Sequence, residues 1–160
     1  MKKKIFLLVC LFSVLLFSCK KDSSYGVDAI NTLPPNANKT KLKTNEQYIS
    51  ILYTNLFQKA LSANEMIEIT YCIEAFGDKE TIHEVIVSNF MNKPDVIVPS
   101  DSIMRADIGN FLKEAYIRFY VRNITEAEKE YLINIIEVNP TFTTEMLYTA
   151  FALSDEYQYY

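Results

Sequence analysis

The chain has 160 residues, 16 Lys plus Arg against 20 Asp plus Glu, and a net charge of −4. The two signs are interspersed, so no basic stripe exists to hold a polyanion, and nucleic acid is set aside as a partner. Three Gly, five Pro and no Trp, beside 11 Tyr and 10 Phe, disfavour a many-turned β-sandwich and point to an all-α domain.

Lys2, Lys3 and Lys4 precede an apolar run over residues 5–18. The run is shorter than the about 20 residues that cross a bilayer as a helix. With its basic start it has the form of a secretory leader. It ends Leu16-Phe17-Ser18-Cys19, which resembles a bacterial lipobox, with Leu at the third position before the cysteine and a small Ser directly before it. Phe17 stands at the permissive position between them. The resemblance implies a diacylglycerol thioether on Cys19, cleavage before it, and palmitate or a similar acyl chain on the new amine. Two or three chains make a stable anchor where one does not. Lys20, Lys21 and Asp22 resemble the charged surface-export signals of Bacteroidota lipoproteins. The expected layout is a signal peptide over 1–18, a lipid-anchored flexible tether over 19–43 and a helical domain over 44–160. The expected place is the outer membrane, on its periplasmic face or at the cell surface, with the membrane itself a partner through lipidated Cys19.

Cys10 lies in the leader and Cys19 carries lipid, so Cys72 is the one remaining thiol. An exported domain with one thiol has no internal disulfide and depends on packing. Set among Ile69, Tyr71 and Ile73, Cys72 reads as a small buried hydrophobe.

The tether holds Ser23, Ser24, Pro34, Pro35, Asn36 and Asn38 and has little apolar periodicity, which suits a solvated spacer. Thr44-Asn45-Glu46-Gln47 then forms a capping box, and a first helix runs to about Ala60, with Tyr48, Leu52 and Leu56 one turn apart. Ser62-Ala63-Asn64-Glu65 opens a second helix that buries Met66, Ile69, Ile73 and Phe76, with Gly77 placed to end it in a left-handed conformation. Thr81-Ile82-His83-Glu84 is a third box, which puts His83 near a helix start, facing solvent. That helix carries Val85, Ile86 and Phe90 and stops at Asn92-Lys93-Pro94. Residues 96–107 read as an extended connector with room for a few residues of strand, followed by helix starts at Ser100 or Asp107.

From Phe111 the pattern resumes at an offset of 63 residues. Tyr53 aligns with Tyr116, Phe57 with Tyr120, Lys59 with Arg122, Ser62 with Thr125 and Glu65 with Glu128. A fourth helix ends on Phe119 and Tyr120. Thr125-Glu126-Ala127-Glu128 caps a fifth, with Tyr131, Leu132, Ile135 and Ile136 inward, and Thr143 or Thr144 starts a sixth. A two-residue shift then aligns Phe90 with Phe151. The expectation is a compact bundle of about six helices in two similar three-helix halves, over about 44–95 and 107–160.

No pattern carries chemistry. One His and one free Cys cannot assemble a zinc site, and no phosphate loop, nucleophile elbow or haem motif occurs. No catalytic residue, metal or cofactor is assigned. Lys59 and Arg122 read either as cations at helix C-termini or as a symmetric pair of anion or partner contacts. Tyr157, Tyr159 and Tyr160 read either as a tail packed on the bundle or as an aromatic docking patch.

Tyr116, Arg122, Glu128, Ser154, Glu156 and Tyr157 stand in an order that resembles helical linker-type modules, namely the phycobilisome linker domain and related repeats of bacterial surface proteins. The glycine that those families place before the basic residue is replaced by Gln58 and Val121. The resemblance implies an assembly module with an envelope protein as partner. The expected function is a lipid-anchored, non-catalytic interaction or structural module of the bacterial envelope. The alternative is a ligand- or substrate-binding accessory of an envelope uptake or export system.

Overall fold

The computed structural model describes residues 32–35 and 37–160. The leader, Cys19 and the first part of the expected tether lie outside the described residues. Among those described, seven α-helices follow one another: α1 Asn45–Phe57, α2 Ala63–Ala75, α3 Lys79–Met91, α4 Asp101–Ala106, α5 Ile108–Tyr120, α6 Glu126–Val138 and α7 Thr144–Leu153. A 3-10 turn, Asp155–Gln158, closes the chain. Among the described residues no helix is long and apolar enough to cross a membrane. The domain is all-α, and β pairing among the described residues is limited to two isolated bridges.

Side-chain caps explain where most helices begin. Thr44 and Gln47 form a reciprocal box, with the Gln47 amide donating to Thr44 Oγ1 and the Thr44 amide donating to Gln47 Oε1. Thr125 and Glu128 form the second complete box. Ser62, Asp107 and Thr143 each accept one orphan amide at the starts of α2, α5 and α7. Helix α3 begins earlier than Thr81, because Asp78 is its cap and accepts from both the amide and the hydroxyl of Thr81. A carboxylate three residues after a helix end caps as well as a hydroxyl, and the Thr-x-x-Glu spacing hid it.

Helix limits recur at the offset of 63. Asn45 and Ile108 start α1 and α5, and Ala63 and Glu126 start α2 and α6. Gln58 (φ 52°, ψ 30°) and Val121 (φ 55°, ψ 29°) end α1 and α5 in the left-handed region. The two third helices, α3 and α7, pack on each other and join the halves. The core runs through this junction, with Tyr48, Leu52, Ile73, Leu112, Ile136 and Leu147 all within 1% of complete burial. Arg118 ties the halves from the other side. It donates from Nε to Asn55 O (2.7 Å), from Nη1 to Tyr148 Oη (3.1 Å) and from Nη2 to Ile97 O (3.2 Å).

Several expectations are corrected. Helix α1 stops at Phe57, because Gln58 turns left-handed, and it does not run on to Ala60. Gly77 has no positive φ; α2 ends because Phe76 is extended (φ −84°, ψ 132°). The Lys79 ammonium takes up the terminal carbonyls of Ile73 and Phe76 in place of a glycine motif. Cys72 is exposed, not buried. Helix α2 touches the body along a narrow face centred on Ile73 and Thr70, and Cys72 is rotated off it. Phe76 and Tyr131 are exposed for the same reason, at 48% and 66%. Residues 96–107 hold no strand; 96–100 are an extended passage that leads into the short helix α4, which fills most of the rest.

The largest correction concerns the tether. Residues 33–35 and 37–43 are a strap bonded to the body, not a solvated spacer. The Leu33 amide donates to Val121 O (2.9 Å), and the Asn123 amide donates to Leu33 O (3.1 Å). At the other end the Lys43 amide donates to Gln158 O (2.8 Å), and the Tyr160 amide donates to Lys41 O (2.9 Å). Polar composition does not report this, because the bonds are made by backbone and by two lysines.

Candidate functional site

Arg122 is the centre of the one buried charge cluster among the described residues. The left-handed turn at Val121 sends it inward, where it is 5% exposed. Its Nε donates to Glu156 Oε1 (2.6 Å), and Nη2 donates to Glu156 Oε2 (2.7 Å) and to Glu128 Oε1 (2.6 Å). Nη1 donates to Glu128 Oε2 (3.0 Å) and to the carbonyl of Asn123 (3.1 Å). A guanidinium has five N–H donors in a planar fork, and all five are used, in two bidentate carboxylate pairs and one carbonyl bond. Its face lies 4.9 Å from the Tyr116 ring centre and 5.7 Å from that of Tyr120.

A second cation completes the cluster. Lys39, from the strap, reaches Glu156 Oε1 at 3.2 Å and donates to Tyr120 O at 2.6 Å. Two cations therefore face two carboxylates and the charges balance. Glu128 also closes the cap of α6, accepting from the amide and the hydroxyl of Thr125. The Arg122 bonds, helped by Thr125, hold the Glu128 carboxyl at about 2. Burial pushes the Glu156 carboxyl upward, but Arg122 and Lys39 outweigh it and hold it low. Burial lowers the Lys39 ammonium against the pull of Glu156. Burial likewise brings Lys43 down to about 8. Lys43 donates to Tyr157 O and lies 4.4 Å from the Tyr157 ring centre.

Lys59 stands where the repeat places it but does a different job. It pairs with Asp95 on the surface, with the two side chains 52% and 49% exposed. Lys59 and Arg122 are 63 apart and Asp95 and Glu156 are 61 apart, the same two offsets that align the sequences. Each half thus closes one ion pair between its second-helix entry and its end, one wet and one dry. Neither cation is a free anion receptor: Arg122 has no donor left, and the two lie in separate clusters.

The tyrosine tail divides. Tyr157 is fully buried; it meets Tyr48 and Phe119 at centroid distances of 5.8 Å and accepts from Asn55 Nδ2 at 2.9 Å. It is not available for docking. Tyr159 and Tyr160 are 37% and 42% exposed, and the strap pairs with their backbone. Among the described residues no three His, Cys, Asp or Glu side chains gather in a way that could hold a metal.

A groove of about 460 Å³ opens beside the strap end, lined by Lys79, Glu80, His83, Glu84, Asp155 and Gln158. His83 is not at the solvent-facing second position of its helix. It is partly buried, stacked on Tyr48 at 4.3 Å, and its Nε2 has no hydrogen-bond partner. Burial first, and Lys79 second, lower its pKa. A base depressed in the folded state binds fewer protons than the unfolded chain does, so its contribution is present above about 6.5 and is lost as pH falls. Thermal melts between pH 7.5 and 5 should show falling stability, and His83→Gln should flatten that slope. An unchanged slope in the variant removes His83 as its source.

Sequence reasoning missed Lys39, Lys43 and Arg118. Arg122, Glu128 and Glu156 were named through the linker-type likeness, but not as one ion cluster. Comparison of the chain with family models, characterised proteins and solved structures gives no match.

Proposed function

We propose that the chain is a lipid-anchored, non-catalytic interaction module of the bacterial envelope, held at the outer membrane through Cys19 and engaging an envelope protein. The observation that carries this reading is the basic start, the short apolar run and Leu16-Phe17-Ser18-Cys19 at its end. The rigid body supports it in kind. The six residues of the linker-type likeness, Tyr116, Arg122, Glu128, Ser154, Glu156 and Tyr157, meet around one guanidinium or in the turn that carries Glu156. They serve packing, so the likeness lies in how a module is built. We read the offset of 63 as an internal duplication of that module. Cys19→Ala, expressed in a bacterial host fed a labelled fatty acid, should lose the label and stay unprocessed. Continued labelling of that variant overturns the anchor.

The second reading, a ligand-binding accessory of an uptake or export system, is favoured by one feature, the His83 groove. Its mixed Lys and Glu rim suits a small zwitterion better than a simple anion. Calorimetric titration with amino acids and short peptides, reading heat in the wild type but none in His83→Gln, would select it.

A further inference from the structure

Val121 is in a conformation that a β-branched residue avoids, at φ 55° and ψ 29°. Gly or Asn would sit there with less strain. Yet its side chain is not used inside, being 41% exposed. Strain retained at an exposed residue asks for an outward-facing reason. Its neighbours share its character. Ile117, one turn earlier on the same face of α5, is 38% exposed, and Leu33, backbone-paired to Val121, is 40% exposed. Pro34 and Pro35 follow, exposed, and Lys113 lies exposed one turn before Ile117. The equivalent positions of the first half, 63 residues earlier, are Thr54 for Ile117, Gln58 for Val121 and Ser50 for Lys113, all polar. At these positions the apolar side chains belong to the second half alone, on the side where the chain enters the body.

Thirteen residues separate Cys19 from Leu33. An extended chain spans at most about 3.6 Å per residue, so that link reaches no further than about 50 Å. A lipid on Cys19 keeps this face close to a bilayer at high effective concentration, so a small patch suffices. Aliphatic side chains with a lysine at their edge fit the membrane interface.

We propose that the surface made by Leu33, Ile117 and Val121, with Lys113 at its edge, seats on the lipid surface to which Cys19 is anchored. The proposal rests on the lipid-anchor reading. The test uses full-length protein purified from a lipidating host, carrying Cys72→Ser, in vesicles of phosphatidylethanolamine and phosphatidylglycerol. A fluorophore is placed at Ile117→Cys or, as the control, at Thr54→Cys, and is quenched by brominated lipid. Quenching at 117 should exceed that at 54 at least twofold. Adding Val121→Asn should cut the excess by half or more while the melting temperature holds or rises, a combination that a purely structural role for Val121 does not produce. Protein that floats with vesicles but is quenched equally at 117 and 54 overturns the seating and leaves the anchor standing. Protein that does not float removes the anchor and the seating together. Shielding of the 117 label by added protein without lipid assigns the patch to a second copy and overturns the proposal.

Discussion

Arg122→Ala should lower the melting temperature by about 10–20 °C, the largest effect of any single charge removal in the domain. Breaking a buried pair by deleting one partner typically costs about 3–5 kcal/mol, because the other charge stays behind unsatisfied. Here Glu128 and Glu156 both lose their common partner, and Glu156 keeps only Lys39. In a body of this size each kcal/mol moves the midpoint by roughly 3–5 °C. Arg122→Lys should recover little of the loss, since an ammonium cannot form two forks. The quadruple change Lys39→Met, Arg122→Met, Glu128→Gln, Glu156→Gln should recover much of it, because no lone charge is then buried. The Lys59→Ala variant is the contrast. Its pair with Asp95 is half exposed and screened by water, and removal should leave the melting temperature close to that of the wild type. Equal melting temperatures for Arg122→Ala and Lys59→Ala would show that the buried cluster does not hold the joint. Acid adds a separate signature. Glu128, at about 2, and Glu156, also low, contribute stability that is present above about 4.5 and is lost as pH falls towards 2. The quadruple variant should lose that acid limb and keep the one set by His83.

Tyr157→Ala should destabilise by about 3–5 kcal/mol, the range for deleting a large buried ring. The ring is fully buried between Tyr48 and Phe119. Tyr157→Phe should cost only about 1 kcal/mol, the loss of one hydrogen bond, leaving Asn55 Nδ2 without its acceptor. Tyr160→Ala should stay within about 1 kcal/mol, because its ring is 42% exposed and what the strap bonds is its amide. Urea melts of the three variants separate a closing tail from a docking tail. If Tyr157→Ala unfolds at the wild-type urea concentration, the tail does not close the core.

The strap links both results. Lys39 and Lys43 lie over Tyr120 and Tyr157 and carry the strap's charge into the region that Arg122 and Tyr157 build. Loosening either residue should therefore loosen the N-terminal entry as well.

Local chemistry was legible because it acts over three or four residues. A Thr whose hydroxyl reaches an amide three residues on, or a Leu one turn from the next, leaves its mark in consecutive letters, and Thr44, Ser62, Thr125 and Thr143 all cap as their neighbours indicate. The all-α class, six of the seven helices among the described residues, and the spacing of 63 follow from such marks. Which face of a helix meets another is not local. Cys72, Phe76 and Tyr131 sit on apolar segments and are exposed because α2 and α6 each touch the body along one narrow face. Lys59 and Arg122 are equivalent in sequence, yet one lies in water and the other between two carboxylates. The difference comes from residues far along the chain: Glu156 is 34 positions from Arg122, and Lys39 is 81 positions from Tyr120, whose carbonyl it caps. By itself the sequence determined the all-α class, where most helices start and the spacing of 63 at which helix limits recur. Only the tertiary structure decided that residues 33–35 and 37–43 are a strap, that Tyr157 is core and that Arg122 has no donor to spare. Burial and charge pairing depend on which distant surfaces meet, and no window of neighbouring residues records that.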